Sequence, residues 1–509
     1  MNVDVALPLF VGVPLLAAAF AVLSPWKWLR DALHIIVPAL GVIAGVWLYW
    51  VTLDQGTVAH VIGLYPGGAG IVFAADGFSA IMIITSMIVA VTANWFATAA
   101  GETEARFYPA LTLILITGAN GAFLTADLFN FFVMIEVMLL PSYGLLAMTG
   151  TPDRLTAGRL FVLVNLAAST LLVLGVGLVY GVTGAVNIAA LQGVAAGNGP
   201  ATVAVGVVVV AIAVKAGLFP VHTWLPRTYP STSAAVMGIF SGIHTKVAVY
   251  MLMRIWVVIF DLDERWNWLI IVVMVISMMI GAFAGLAENS IRRVLAYQMV
   301  NGMPFILVML AFAADSPRLA LSAAILYTLH HMITMGALIL NSGAIEETYG
   351  TGRLKRLSGL MRREPWTAAV FAAGAFSVVG FPVFSGMWGK VGLVVSAAST
   401  GDARSIVVIT AVIVASVGAL LSMLRVWQNV FWGPDMQRYD AAVTIRWSVL
   451  APSAVMVLIS VAMFVFAGPL LGSVHHATDG LLDVDAYSDA VLGDDPVGIP
   501  DMTDLQGGI

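Results

Sequence analysis

Fourteen stretches of about twenty apolar residues follow one another along this chain, and a run of that length matches the hydrocarbon thickness of a bilayer. The fold expected is an all-α polytopic membrane protein. Spans are placed near 5–23, 33–53, 73–98, 108–125, 128–149, 158–182 and 201–228, then near 233–258, 267–286, 293–314, 318–345, 366–400, 404–432 and 445–472. Composition agrees: 10% of the 509 residues are charged and the mean hydropathy is +0.97, whereas soluble domains carry about 25% charge. The apolar start, Leu7 to Leu23, lacks the basic flank and cleavage pattern of a removed signal peptide and is counted as the first span.

Loop charges set the orientation. Lys27, Arg30, Arg106, Arg154, Arg159, Arg227, Arg292, Arg293, Arg353, Lys355, Arg356, Arg362, Arg363, Arg438 and Arg446 fall on one side; the other holds little beyond Arg265, Arg318 and Arg404. Positive residues stay in the cytoplasm, so an even number of spans puts both termini on the non-cytoplasmic side. Asp479, Asp483, Asp485, Asp489, Asp494, Asp495, Asp501 and Asp504 then crowd a last stretch without Lys or Arg, which reads as a solvated, flexible tail over 473–509.

Two spans are overlong and interrupted in the same way, the seventh at Gly217-Leu218-Phe219-Pro220 and the twelfth at Gly380-Phe381-Pro382. Breaks five spans apart point to two inverted repeats of five helices. The division expected is 1–107 for the first three helices, 108–258 and 267–432 for the two repeats, and 433–472 for the last helix. Plain proline kinks are the bland alternative.

The chain has five lysines, and Lys215, Lys246 and Lys390 lie inside spans. Together with Glu136, in the apolar run Phe131 to Leu140, they cost on the order of 10 kcal/mol to insert. Such groups are kept when they pair and face a hydrated interior, although lysines near a helix end can also snorkel. Desolvation favours neutral carboxyls and amines, while an opposite neighbouring charge favours both ions. A Glu136–Lys215 pair that opens and closes would thus switch lysine protonation. His244 accompanies Lys246 on the eighth span, and His330 and His331 sit near the middle of the eleventh, where imidazoles can pass protons. Adjacent helical residues point about 100° apart, so only one of His330 and His331 need face the polar axis. His222, past the first break, is either a cap or a pathway residue.

Other chemistry is excluded or weak. Without cysteine there are no disulfides and no thiolate-held clusters or zinc, so redox chemistry would belong to a partner chain. No P-loop or dinucleotide fingerprint occurs, no cofactor is called for, and nothing points to nucleic acid. His475-His476 lacks the further ligands of a metal site.

Charges in five spans in this order, with the segments Lys215 to Pro226 and Ser385 to Lys390, resemble the antiporter-like family shared by complex I and the multisubunit Mrp cation/proton antiporters. The resemblance covers about residues 70 to 435. Ending after span fourteen is similar to the D-type Mrp subunits, since the A type carries further C-terminal helices. Ala296-Tyr297-Gln298-Met299-Val300-Asn301-Gly302 departs from the serine-rich stretch of complex I members, and Lys390 stands where one of them has glutamate. The resemblance implies two proton half-channels. Glu136 would modulate Lys215, Lys246 with His244 and His330 or His331 would form the central axis, and Lys390 would gate the second half. It also implies a prokaryotic cell membrane and a hetero-oligomer with an A-type homologue and small hydrophobic subunits. A proton-pumping subunit of a complex I type NADH:quinone oxidoreductase is the alternative. Sodium prefers oxygen ligands and the axis is mostly nitrogen, so protons are expected here and the metal cation elsewhere.

Overall fold

The structure, a computed structural model, describes residues 3–64, 70–440 and 442–493. The first half of the bundle is built from α1 (Leu9–Leu23), α2 (Lys27–Gln55), α3 (Gly77–Ala100), α4 (Tyr108–Leu124), α5 (Leu128–Ala147), α6 (Pro152–Thr183), α7 (Gly199–Ala216) and α8 (Ala234–Val258). The rest comprises α9 (Asn267–Ala284), α10 (Ile291–Leu307), α11 (Pro317–Tyr349), α12 (Pro365–Val379), α13 (Ser385–Ala398), α14 (Ala403–Val426), α15 (Trp447–Val465), α16 (Ala467–Leu482) and α17 (Val484–Leu492). Among the described residues, twelve helical segments are long and apolar enough to cross a membrane, and α4 and α12 are shorter apolar helices. This is a polytopic helical membrane fold, as expected. A small antiparallel hairpin, β1 (Val58–Val61) and β2 (Val72–Ala75), pairs Val58 with Ala75 and Val61 with Val72.

Helix starts follow local chemistry. Asp76 caps α3 by accepting the Ser79 N–H at 2.9 Å, and Asp127 caps α5 by accepting that of Asn130 at 2.7 Å. Burial sorts the helices: α8 and α11 are buried along their whole apolar windows, while α1 and α2 leave large apolar side chains such as Leu16, Phe20 and Trp50 exposed, as a lipid-facing helix does. The intramembrane charges of α8 therefore lie in the interior. They are far from the lipid-facing rim.

Both interruptions are real, and the two freed helix ends are satisfied differently. Gly217 and Gly380 end α7 and α12 in the left-handed region, at φ 74° and 97°, which glycine adopts without strain. At the first break the Trp224 indole donates to the Val214 carbonyl at 3.0 Å; at the second the Lys390 amine donates to the Val379 carbonyl at 2.9 Å. The second lysine is thus part of its own helix break.

The expected last span and tail need correction. α15 stops at Val465 because Pro469 has no N–H to give and its ring opposes the carbonyl four residues earlier. The chain then continues as α16 and α17, which pack instead of floating. Val474, Ala477 and Leu481, then Tyr487 and Val491, recur at helical spacing and are buried, so the aspartates decorate one face of amphipathic helices. Asp494, Asp495, Asp501 and Asp504 lie outside the described residues. Asp4 lies 3.5 Å from His60 on β1, and α17 packs on the same hairpin, so the two ends of the described chain share one face of the bundle, here the terminus face.

Candidate functional site

Glu136 on α5 and Lys215 on α7 do not touch. Ser169 of α6 stands between them, donating its hydroxyl to Glu136 and accepting from Lys215 Nζ at 2.8 Å. Lys215 occupies the last turn of α7, two residues before the break, where α7 packs along α6. From Lys215 to His244 the path is interrupted by a cavity of about 10 Å³, lined also by Asn165, Trp224 and Tyr229, enough for about one water. The buried Tyr229 hydroxyl has no protein partner.

On α8 the helix widens into a π-helical segment, Phe240–His244, a distortion that often accompanies functional sites. His244 Nε2 meets the Ser142 hydroxyl of α5 at 2.9 Å. Lys246 Nζ donates to the Ser241 carbonyl at 2.9 Å and meets His331 Nδ1 of α11, also at 2.9 Å. Lys246 is wholly buried, and among the described residues its amine meets only Ser241, Thr245 and His331.

Both histidines of α11 are used, one toward each half. His331 faces Lys246, while His330 Nδ1 meets the Ser385 hydroxyl at 2.8 Å and that of Thr334 at 3.1 Å. A two-way split is what adjacent helical positions allow, and each imidazole meets a side-chain partner. Ser385 opens α13 and continues into a hydroxyl cluster, with Ser460 at 2.8 Å and Ser377 a further 3.0 Å beyond. Five residues along α13, Lys390 Nζ donates to Ser416 of α14 at 2.7 Å and lies 5.2 Å from the centre of the Phe305 ring. It floors a mostly apolar cavity of about 400 Å³. His222 lies outside this series, buried beside Phe219 with Nδ1 unpartnered.

Glycines make room for this chemistry. A Cβ at Gly302 of α10 would overlap the His331 imidazole, and one at Gly386 would stand 2.9 Å from the His330 ring. The serines were missed from the sequence, as were Gly302 and Gly386. Of these, Ser385 and Gly386 fall within the segment that carried the family resemblance.

Near the arginine-rich face, just beyond the end of α3, Glu102 has a buried Oε1 without a partner. Burial pushes its carboxyl up to about 7, against the opposing help of Ser233, Arg154 and Arg292. Ser233 is the N-cap of α8, so this carboxyl neighbours the arginine-rich end of the helix that carries His244 and Lys246. No group of three or more His, Cys, Asp or Glu that could hold a metal is found among the described residues. His476 instead contacts Thr52 at 3.2 Å.

Residues 125–418 match the family described as NADH:quinone oxidoreductase/Mrp antiporter, transmembrane. The chain is 31% identical to the D-type subunit of the Na(+)/H(+) antiporter of Alkalihalophilus pseudofirmus, over 97% of this chain and all of that one. It superposes on a chain of the Mrp complex from Dietzia sp. with a TM-score of 0.91 and 38% identity, covering 97% and 100% of the two chains. A chain of respiratory complex I from Thermus thermophilus shares the fold, with a TM-score of 0.78 at 22% identity over 96% of this chain and all of that one.

Proposed function

Because the chain belongs to the NADH:quinone oxidoreductase/Mrp antiporter transmembrane family, we propose that it is the proton-translocating, D-type subunit of a multisubunit sodium/proton antiporter. It is a secondary transporter subunit, not an enzyme. The observation that carries this reading is the series of titratable side chains at the buried centre: Glu136 linked through Ser169 to Lys215, Lys246 in direct contact with His331, and the adjacent His330 bonded to Ser385 on the helix that carries Lys390.

Each half holds one lysine at a helix break, and the halves correspond as inverted five-helix repeats, 108–258 and 267–432. The Glu136 carboxylate, acting through Ser169, favours the ammonium form of Lys215. When that contact loosens, the proton crosses the water-sized gap to His244 and reaches the Lys246–His331 pair. A positive charge arriving there repels the proton held next along the axis, toward His330, the serine cluster and Lys390. Lys390 releases it to the second half-channel. The arginine-rich face lies in the cytoplasm and the terminus face outside, across the plasma membrane of a prokaryote. An A-type homologue and small hydrophobic subunits complete the complex, and the metal cation passes outside this nitrogen-rich axis.

The higher identity to the D-type antiporter chain and to the Mrp complex chain, 31% and 38% against 22% for the complex I chain at similar coverage, favours this reading over a complex I pump. The test is cation/proton exchange by the whole complex in vesicles, with sodium, potassium and lithium compared. Exchange surviving in Lys215→Ala, Glu136→Ala and Lys390→Ala alike would overturn the mechanism. Sodium/proton exchange by the isolated chain would overturn the division of labour.

A further inference from the structure

A second buried charge site lies on α8 outside the relay. Lys246, Tyr250 and Arg254 follow at intervals of four, so they share one helix face, with Arg254 about 12 Å nearer the terminus face than Lys246. The Arg254 guanidinium pairs with Asp76, the α3 N-cap, at 2.7 Å, and the two side chains are only 2% and 1% exposed. Asp76 also accepts from the Ser79 hydroxyl at 3.1 Å. Arg254 donates to the Tyr250 hydroxyl at 3.0 Å, and that hydroxyl lies 2.8 Å from both the Phe123 carbonyl and the Ser79 hydroxyl. Phe78 and Phe123 pack on the Tyr250 ring at 4.7 and 5.2 Å. The Tyr487 ring of α17 covers the guanidinium at 4.9 Å.

The position suggests a conduit from Lys246 to the terminus face, but the chemistry is that of a plug. Arginine does not give up its proton. The tyrosine hydrogen ends on the Phe123 carbonyl, which cannot pass it on, or on Ser79, whose own hydroxyl leads only to the Asp76 carboxylate held by Arg254. The pair is neutral as a unit and walled by aromatic rings. Stability does not explain it either, since apolar side chains of similar volume serve about as well as a buried ion pair. A relay that works between two compartments has to be closed where it would otherwise short-circuit.

We infer that Arg254, Asp76 and Tyr250 form a proton barrier that insulates Lys246 and His331 from water at the terminus face, with the C-terminal helix α17 as its lid. The inference rests on the centre being a proton axis. The lid is tied down at Gln192, whose side chain accepts from Ser488 at 2.9 Å and donates to Asp485 at 3.1 Å. Arg318 holds the preceding helix α16 through Asp479 at 2.7 Å.

The test is the passive proton leak of vesicles holding the whole complex, followed after a pH step in choline salt with no alkali cation. The Asp76→Asn, Arg254→Gln double variant removes both charges and leaves a polar side chain at each position. Its leak should rise at least about tenfold, the change that about 1.4 kcal/mol off a barrier gives. Adding Lys246→Ala should return the leak to the wild-type level. An assembled double variant with a wild-type leak overturns the barrier, as does a leak that persists without Lys246. If the double variant fails to assemble, Tyr487→Ala decides in its place. It leaves both charges and their bonds intact, and a raised leak supports the lid while a wild-type leak overturns it. Full exchange activity in Lys246→Ala alone would instead sink the proposed axis, a separate result from either leak outcome.

Discussion

The two broken helices each present one lysine, yet they provide for its charge in opposite ways. Lys215 has a carboxylate one hydroxyl away, since Ser169 links it to Glu136. Lys390 has none: its amine meets a backbone carbonyl, a serine and the face of Phe305, at the floor of a mostly apolar cavity. On the proposed mechanism the first half holds a proton and releases it on command, and the second lets one go, so the proposed repeats differ at the place where a counter-charge would decide which way a proton moves.

The most severe way to break the comparison is to remove either lysine. Lys215→Ala and Lys390→Ala should each cut cation-driven proton exchange by about 10²-fold or more, the usual worth of a positioned proton carrier. Vesicle assays on assembled complexes check this, and a large loss in only one of the two would make the halves unequal in kind. A sharper variant makes the second half resemble the first. Ser416 already touches Lys390 at 2.7 Å, so Ser416→Asp places a carboxylate there and should slow exchange about tenfold by favouring the ammonium form. Unchanged exchange would show that the missing counter-charge is irrelevant.

Smaller effects probe the hydroxyl links. Ser169→Ala leaves Glu136 and Lys215 in place but removes their bridge of two charge-assisted hydrogen bonds, each worth about 1.5 to 3 kcal/mol before water fills the gap. Exchange should fall about tenfold and regain activity in Ser169→Thr. Ser385→Ala should cost less, a few-fold, because His330 keeps its contact with Thr334 and the cluster retains Ser377 and Ser460. If Ser385→Ala proved the more damaging, the serine cluster, not the glutamate bridge, would be the controlling element.

These links also mark the limit of what was legible in the sequence. Apolar runs of span length and lysines within them stand out because each violates an expectation about lipid. A serine violates nothing, since its hydroxyl can bond the carbonyl one turn back, as Ser142 does to Met138 and Ser416 to Val412. Only the fold reveals that the same oxygen faces a lysine or an imidazole. Asp76 and Arg254 sat close to the expected span ends, where charges are ordinary, although the spacing Lys246, Tyr250, Arg254 was open to view. The tail was misread because its aspartates outweighed an apolar stripe that only packing makes evident.

The halves differ again near the arginine-rich face, and the smallest predicted effect lies there. Glu364, leading into α12, is bonded by the Tyr349 hydroxyl at 2.7 Å and the Ile445 N–H at 2.9 Å. Glu102, in the first half of the bundle just ahead of the first repeat, has a buried oxygen with no partner, and burial pushes its carboxyl from an ordinary 4.5 up to about 7. The folded chain therefore binds a proton at Glu102 that the unfolded chain has already lost. Stability from this group is present below about pH 4.5 and is lost as pH rises through about 7. Thermal unfolding of the purified complex between pH 5 and 8 should show a decline that Glu102→Gln reduces, since the amide stays neutral throughout. An identical slope in the variant would place the buried charge elsewhere and remove this difference between the halves.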